Sequence, residues 1–306
     1  MKQEKFVETG KTQKKKSNNA PKPSKYSWLV ALVAVALWGI YLLVSGTPWK
    51  DAEPLPEAPD FRVVFLDVGQ ADAALVLCEG ESMLIDGGNV ADSDLIYTVL
   101  QKRGIDELSC VVCTHAHEDH VGGLPAALHA CKVDTVYCPV TEYDSACFRS
   151  FVSAVNEQTG GLIVPNVGDR FYLGSARVDV LACDPQAEET NNTSIVLRVV
   201  YGETSFLFTG DAEMPVEQAL LDSGATLSST VLKVGHHGSS SSTSYRFLNE
   251  VMPQYAVISS GKGNSYGHPH EEVLSRLHDA DVTVLRTDEL GDIVLVSDGK
   301  TIEIAK

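Results

Sequence analysis

Ten residues, Thr114-His115-Ala116-His117-Glu118-Asp119-His120-Val121-Gly122-Gly123, constrain this chain more than any other stretch. Three imidazoles and a carboxylate fall between positions 115 and 120, directly after the apolar, strand-like segment Leu108–Cys113. Imidazole and carboxylate together suit a borderline divalent ion such as zinc or manganese. Alternate residues of an extended turn bring His115 and His117 to one ion. Asp119 and His120, entering the next helix, then point toward a second. Such a cluster at a strand end is rarely accidental, and the chemistry it implies is metal-assisted hydrolysis.

The net charge of −17 over 306 residues hides an asymmetry. Residues 1–25 carry eight lysines against Glu4 and Glu8, a charge of +6, so the remainder carries −23. A basic arm beside an acidic body points to a membrane or a polyanion. The uncharged run Trp28–Val44 follows the arm. At 1.5 Å per residue it spans about 26 Å, close to the ~30 Å hydrocarbon thickness once Tyr26, Ser27 and Ser45 are added. Lysines precede the run and acidic residues follow it. The reading is therefore a transmembrane signal anchor over 26–45, with the 1–25 tail cytoplasmic and the rest outside the cell membrane. A cleaved signal peptide, giving a secreted protein, competes because Val44-Ser45-Gly46 offers small residues, but its apolar region would be long. A buried soluble helix is the remaining alternative. Residues 46–60 hold four prolines and read as a spacer. The main domain is expected over 61–306.

Seven cysteines (78, 110, 113, 131, 138, 147 and 183) make an odd set in a chain too large to need disulfide staples. Cys110-x-x-Cys113 has redox-pair spacing, yet it lies in an apolar strand, and buried inert thiols are expected.

From Phe61 onward short apolar runs alternate with helical spacing. Strands are expected over 61–68, 73–78, 82–85, 108–113 and 133–138, with helices over 94–103 and 123–131. The second half repeats the theme: strands over 177–181, 194–201, 204–209, 230–234, 255–259, 283–286, 292–297 and 301–304, and helices over 215–222, 245–252 and 271–280. Two sheet-and-helix halves imply an α/β fold, a four-layer αββα sandwich with its chemistry on loops at one sheet edge.

Further polar segments end or open strands. Phe206–Glu213 sets Asp211, a carboxylate able to bridge two cations, just beyond a hydrophobic strand. Val231–Ser239 does the same with His236 and His237. Asn191-Asn192-Thr193-Ser194 and Asn264-Ser265-Tyr266-Gly267-His268-Pro269-His270 complete the set. Each alone reads as a cap or polar loop; jointly with the His115–His120 run they read as a binuclear site.

The segments FLDVGQADA (65–73), LIDGG (84–88), THAHEDHVGG (114–123), NNTSIVL (191–197), FLFTGDAE (206–213), LKVGHHGSSSSTS (232–244) and NSYGHPH (264–270) resemble, in order, the metallo-β-lactamase fold superfamily. Within it they are similar to the ComEC-type branch, the extracytoplasmic domain of DNA-uptake competence proteins and its stand-alone relatives. The resemblance covers about Phe61 to Lys306 and implies two divalent metal ions, zinc or manganese. His115 and His117 would hold the first. Asp119, which also serves catalysis, and His120 would hold the second. Asp211 would bridge, and His236 would complete the second site, with His237 as its alternative. Asn192 falls where many relatives place a histidine on the first metal, which makes it a weak ligand. Asp86 resembles the carboxylate that fixes a ligand imidazole, with Asp67 beside it. His268 resembles a catalytic histidine that contacts phosphate or protonates the leaving group. Ser239 and Asn264 are expected against substrate. The chain departs from the family pattern in having Ala71 where a glycine is usual, and a single apolar span cannot form a transport channel.

Three functions compete. The first is a membrane-anchored phosphodiesterase or nuclease with DNA as one candidate phosphodiester substrate; the second is hydrolysis of a small ester, such as wall-linked choline phosphate, or of a β-lactam. The third is a catalytically silent binding module. A −23 body disfavours broad polyanion binding, and a full ligand set disfavours silence. No protein partner is inferred.

Overall fold

In the computed structural model, which describes residues 61–158 and 160–305, side-chain alternation along the strands sets the layering. In β1 (Phe61–Phe65), Phe61, Val63 and Phe65 enter one core while Val64 enters another on the opposite face. In β2 (Ala74–Cys78) and β3 (Glu81–Ile85), Val76 and Met83 join the first core, Leu75 and Leu84 the second. Against that second face packs α1 (Ser93–Lys102), which buries Ile96 and Leu100 one turn apart. The chain then runs β4 (Glu107–Leu108), β5 (Cys110–Val112), the single turn α2 (Glu118–Val121), α3 (Leu124–Ala130), β6 (Lys132–Val133), β7 (Val136–Tyr137) and α4 (Ala146–Gln158). The strands expected over 108–113 and 133–138 are each split, because β4 and β6 peel away to pair with each other.

The second half comprises β8 (Arg170–Leu173), β9 (Ala176–Ala182), β10 (Val196–Tyr201), β11 (Thr204–Phe208), α5 (Met214–Ser223), β12 (Val231–Lys233), α6 (Tyr245–Val251) and β13 (Tyr255–Ile258). It closes with α7 (Glu271–Asp279), β14 (Thr283–Arg286), α8 (Thr287–Leu290), β15 (Ile293–Ser297) and β16 (Ile302–Ala305). Two seven-stranded sheets result, ordered β16-β15-β1-β2-β3-β5-β7 and β14-β13-β12-β11-β10-β9-β8. The last two strands thus return to the first sheet, with β15 antiparallel to β1.

Three buried cores separate four layers. Phe61 and Phe65 meet Phe206 and Phe208 between the sheets, with ring centroids 5.5 and 5.9 Å apart. The outer cores sit beneath α1, α3 and α4 on one side and α5, α6 and α7 on the other. Each fully buried phenylalanine or leucine stabilises the fold by roughly 1.5–3 kcal/mol, so these interfaces fix strand register and the loops beyond it. The sequence reading passes over α4 and β8. Phe148, Phe151, Ala154 and Val155 do carry helical spacing, but β8 is too short and exposed to announce itself.

The basic tail 1–25, the span 26–45 and the linker 46–60 lie outside the described residues. Among the described residues no helix is long and apolar enough to cross a membrane. All seven cysteines are free thiols, and burial pushes the Cys110 and Cys113 thiols far up, as inert core residues require.

Candidate metal centre

In each sheet one run of strands is parallel, β3-β5-β7 and β11-β12-β13-β14, and the polar loops gather at the C-terminal ends of these strands. Asp86 follows β3, Thr114–His120 follows β5, Asp211 follows β11, and His236 and His237 follow β12. Two glycine pairs make the approach possible. A methyl group on Gly123 would run into the Gly87 carbonyl, and one on Gly122 into the backbone of Asn89 and Val90. The metal-run turn therefore packs directly on the loop that carries Asp86. Ala71 needs no glycine, because its methyl is buried in the core and its φ is not positive.

Asp119, His120, Asp211 and His237 each offer a ligand atom, all within 4.8 Å of one another. His120 Nε2 lies 3.3 Å from Asp211 Oδ1, and His237 Nε2 lies 3.3 Å from Asp119 Oδ2 and 3.6 Å from Asp211 Oδ1. His120 Nε2, His237 Nε2 and Asp211 Oδ1 are buried without a hydrogen-bond partner. An unsatisfied buried polar atom costs about 1–3 kcal/mol, so three converging on one point fit a divalent cation and little else.

The far nitrogens of these rings are held. Asp86 Oδ2 lies 2.9 Å from His120 Nδ1, and the same carboxylate accepts from the Thr114 amide and hydroxyl at 2.7 and 2.8 Å. His237 Nδ1 lies 3.0 Å from the Ser259 carbonyl and 3.4 Å from Asp72 Oδ1. Asp72 is itself paired at 2.8 Å with the buried Lys233 ammonium, which also donates to the Val234 carbonyl. Asp72 and Lys233 are functional residues that sequence reasoning missed. The expectation for Asp67 is corrected: it is exposed and accepts from the Gly69 amide within its own turn. Its neighbour five positions on does the orienting.

His236 is corrected as well. It stands apart from the Asp119–His120–His237 group, and His237 joins that group instead. Both residues are left-handed, at φ +48° and +52°, so the backbone coils and aims adjacent rings at different parts of the cleft. On the other side His115 Nε2 lies 3.0 Å from His117 Nδ1 and 3.9 Å from Asp211 Oδ2. His236 Nε2 lies 3.7 Å from that same Asp211 oxygen. Asn192 does not face this set. Its carbonyl accepts from the Glu213 amide at 3.1 Å, and Asn191 lines the cleft instead.

The cleft above these groups, about 360 Å³, is walled by Gln70, Glu118, Tyr266 and His268 together with the ligand rings. Gly261 N–H donates to Gln70 Oε1 at 3.1 Å, which leaves the Gln70 amide N–H to donate to His268 Nδ1 at 3.3 Å. His268 therefore carries its proton on Nε2. Asn264, expected against substrate, clamps the loop: it accepts from the His268 amide and donates to the His268 and Gly261 carbonyls. Ser239 is likewise a loop brace, buried and bonded to Ser241 at 3.0 Å.

Residues 66–262 match the metallo-beta-lactamase superfamily. The chain belongs to that superfamily. Over 251 residues it is 31% identical to ComE operon protein 3 of Bacillus subtilis, covering 76% of this chain and 32% of that one. Competence protein ComA of Neisseria gonorrhoeae is 33% identical over 83% of this chain and 34% of its own length. Recombination protein 2 of Haemophilus influenzae is 34% identical over 72% and 27%. The domain is thus of the ComEC competence type, and the chain spans about a third of the length of these curated relatives. Among solved structures, the metallo-beta-lactamase fold protein YhfI from Bacillus subtilis aligns with a TM-score of 0.51 at 13% identity, over 76% of this chain and 98% of that one. CmlA, a diiron beta-hydroxylase from Streptomyces venezuelae, aligns at 0.52 and 14%, over 80% and 55%. At these identities the structural likeness concerns the fold.

The electrostatics of the site favour a divalent metal ion. Burial disfavours charge on Asp211, yet His120 and His237 outweigh it and hold the carboxyl well below its usual range. Burial likewise opposes charge on His237, but Asp211 and Asp72 push it up to about 10. His120 is raised in the same way by Asp211 and Asp86. The carboxylates thus create a field that demands positive charge, which a cation satisfies without protons. His268 feels the opposite influence. Burial and the neighbouring imidazoles of His270, His236 and His237 bring it down to about 4, so it is neutral at physiological pH.

Proposed function

We propose that this chain is a binuclear metal-dependent phosphodiesterase, anchored in the cell membrane by residues 26–45, with its tail cytoplasmic and its hydrolase domain outside, acting on DNA. The observation that carries the reading is the convergence of buried, unpartnered donors of His120, His237 and Asp211 beneath an open cleft. A donor set mixing carboxylates with imidazoles suits zinc or manganese, both of which accept phosphate oxygens as further ligands. When bound, two such ions supply an activated water and neutralise charge that develops on the substrate oxygens.

The chain's own residues supply the rest. Asp119 and Asp211 present acceptor oxygens at the cleft floor, and Asp86 and Asp72 keep the ligand rings turned toward it. His268, its tautomer fixed through Gln70, offers an Nε2–H to a phosphate or leaving oxygen. Being neutral, it acts as a hydrogen-bond donor rather than a charged acid. Tyr266 stacks against His268 at 5.6 Å, and its exposed ring at the cleft rim suits an unpaired nucleobase. The names of the relatives, competence proteins among them, favour DNA over a β-lactam.

The test uses the full chain in detergent, loaded with manganese or zinc, against single-stranded DNA, bis-p-nitrophenyl phosphate and nitrocefin. Hydrolysis of the two phosphodiesters is expected. Cleavage of nitrocefin alone would overturn the phosphodiester reading, and two bound metals with no turnover would make the domain a binding module. Protease added to intact cells should digest the domain and spare the tail. A protected domain reverses the orientation.

A further inference from the structure

We propose that His236 is a ligand of the first metal ion, oriented by Glu213, and that it replaces the side chain expected at Asn192. The inference rests on the binuclear reading above and assigns that site's incomplete half. His115 and His117 supply two imidazoles there, and a closed site needs more donors. Asn192 supplies none, since its amide is spent on Glu213: Oδ1 accepts from the Glu213 backbone and Nδ2 reaches Oε2 at 3.5 Å.

His236 meets the requirement from the opposite sheet position. Its Nε2 lies 3.7 Å from Asp211 Oδ2, an oxygen that His115 Nε2 approaches to 3.9 Å. Ligands at ~2.1 Å in a tetrahedral array lie about 3.4 Å apart, so each of the two rings stands near ligand spacing from the one Asp211 oxygen they share. The tautomer agrees. His236 Nδ1 lies 3.3 Å from Glu213 Oε1 and 3.2 Å from the Ser241 hydroxyl, while the Asn191 amide approaches Nε2 at 3.4 Å. A proton on Nδ1 and a lone pair on Nε2 satisfy all three contacts.

The same device appears at His120 with Asp86 and at His237 with Asp72, a carboxylate holding the far nitrogen of each ring. Glu213 is the third such carboxylate, and Asn192 holds it in place. Asn191 Oδ1 is buried and unpartnered, and the nitrogen of the same amide reaches His236. Two adjacent left-handed histidines are costly to maintain, and a loop that feeds one ring to each ion explains why both persist.

The experiment measures metal content of the full chain in detergent, by mass spectrometry after loading and desalting, with cobalt absorption as a reporter of ligand environment. The parent should hold two ions. His236→Ala should hold one and keep the cobalt spectrum of the Asp119–His120–His237 site. Glu213→Gln, which keeps the shape of the loop, should hold two at saturation but bind the first ion about 10–100-fold more weakly. Asn192→Ala should still hold two. Two tightly held ions in both His236→Ala and Glu213→Gln, or loss of an ion from Asn192→Ala alone, overturns the assignment while leaving the binuclear reading intact. A parent that binds fewer than two ions overturns both.

Discussion

Two loops deliver imidazoles to this centre by different backbone means. Between β5 and α3 the chain uses spacing: His115 and His117 alternate along an extended turn, and His117 caps the short helical turn that carries Asp119 and His120. Beyond β12 the chain has no spacing to use, because His236 and His237 are adjacent; it uses left-handed twist instead. Alternation makes the first loop readable as a pattern. Twist makes the second ambiguous, since which of two neighbouring rings serves which ion depends on φ angles that residue order does not encode.

The largest test of this contrast removes the groups both loops share. Asp211 answers to both, so Asp211→Asn should release metal and lower phosphodiester turnover on the order of 10³-fold or more. Asp119→Ala should abolish turnover while the fold stays intact, because its side chain sits at the sheet edge and is partly exposed. Circular dichroism and a thermal melt check the fold. An Asp119→Ala protein with full activity would mean that the Asp119–His120–His237 site is not catalytic.

How much of this was legible follows from the same contrast. The four layers, the His115–His120 run, Asp211 and the Asp86 brace rest on strong periodicity or on motif residues whose neighbours fix their direction. The choice between His236 and His237 depended on backbone twist. Asp67 and Asp72 belong to one short motif, and only the fold reveals that Asp72 reaches His237 and Lys233 while Asp67 turns outward. Asn264 and Ser239 looked like substrate contacts because clamping a loop and touching a ligand demand the same polar residues. The return of β15 to the first sheet is a long-range pairing that no local pattern records.

A smaller effect separates the two bracing carboxylates. Asp86→Asn and Asp72→Asn should each weaken metal binding by about 10–100-fold. Only Asp72→Asn should also destabilise the fold, by about 3–5 kcal/mol, because it strands the buried Lys233 ammonium. Adding Lys233→Met should recover most of that stability without restoring metal affinity, as chemical denaturation would report. Equal stability of the two single variants would remove the distinction. His268→Ala, which touches neither loop's ligand set in sequence, should lower turnover by roughly 10²-fold with metal content unchanged.

The smallest expected effect probes how the twisted loop is held from outside. Glu217 of α5 is buried, and its two carboxylate oxygens accept from the amides of Thr243 and Ser244, just where the loop enters α6. Thr243 is left-handed at φ +54°, so this contact anchors a strained exit. Burial raises the Glu217 carboxyl above its ordinary value of 4.5, although the Ser244 and Thr243 contacts and Arg276 pull the other way. The folded chain therefore binds this proton more readily than the unfolded chain. Its contribution to stability is fully present below 4.5 and is lost as pH rises through the folded value. Glu217→Gln cannot titrate and offers only one acceptor oxygen to two amides. The melting temperature of the parent relative to this variant should accordingly rise on acidification toward pH 4.5, by at most ~2–4 °C for a domain of this size. A parent that instead loses ground to the variant over that range would show that the ionised carboxylate is the favoured partner of the two amides. The loop would then be braced by charge rather than by shape.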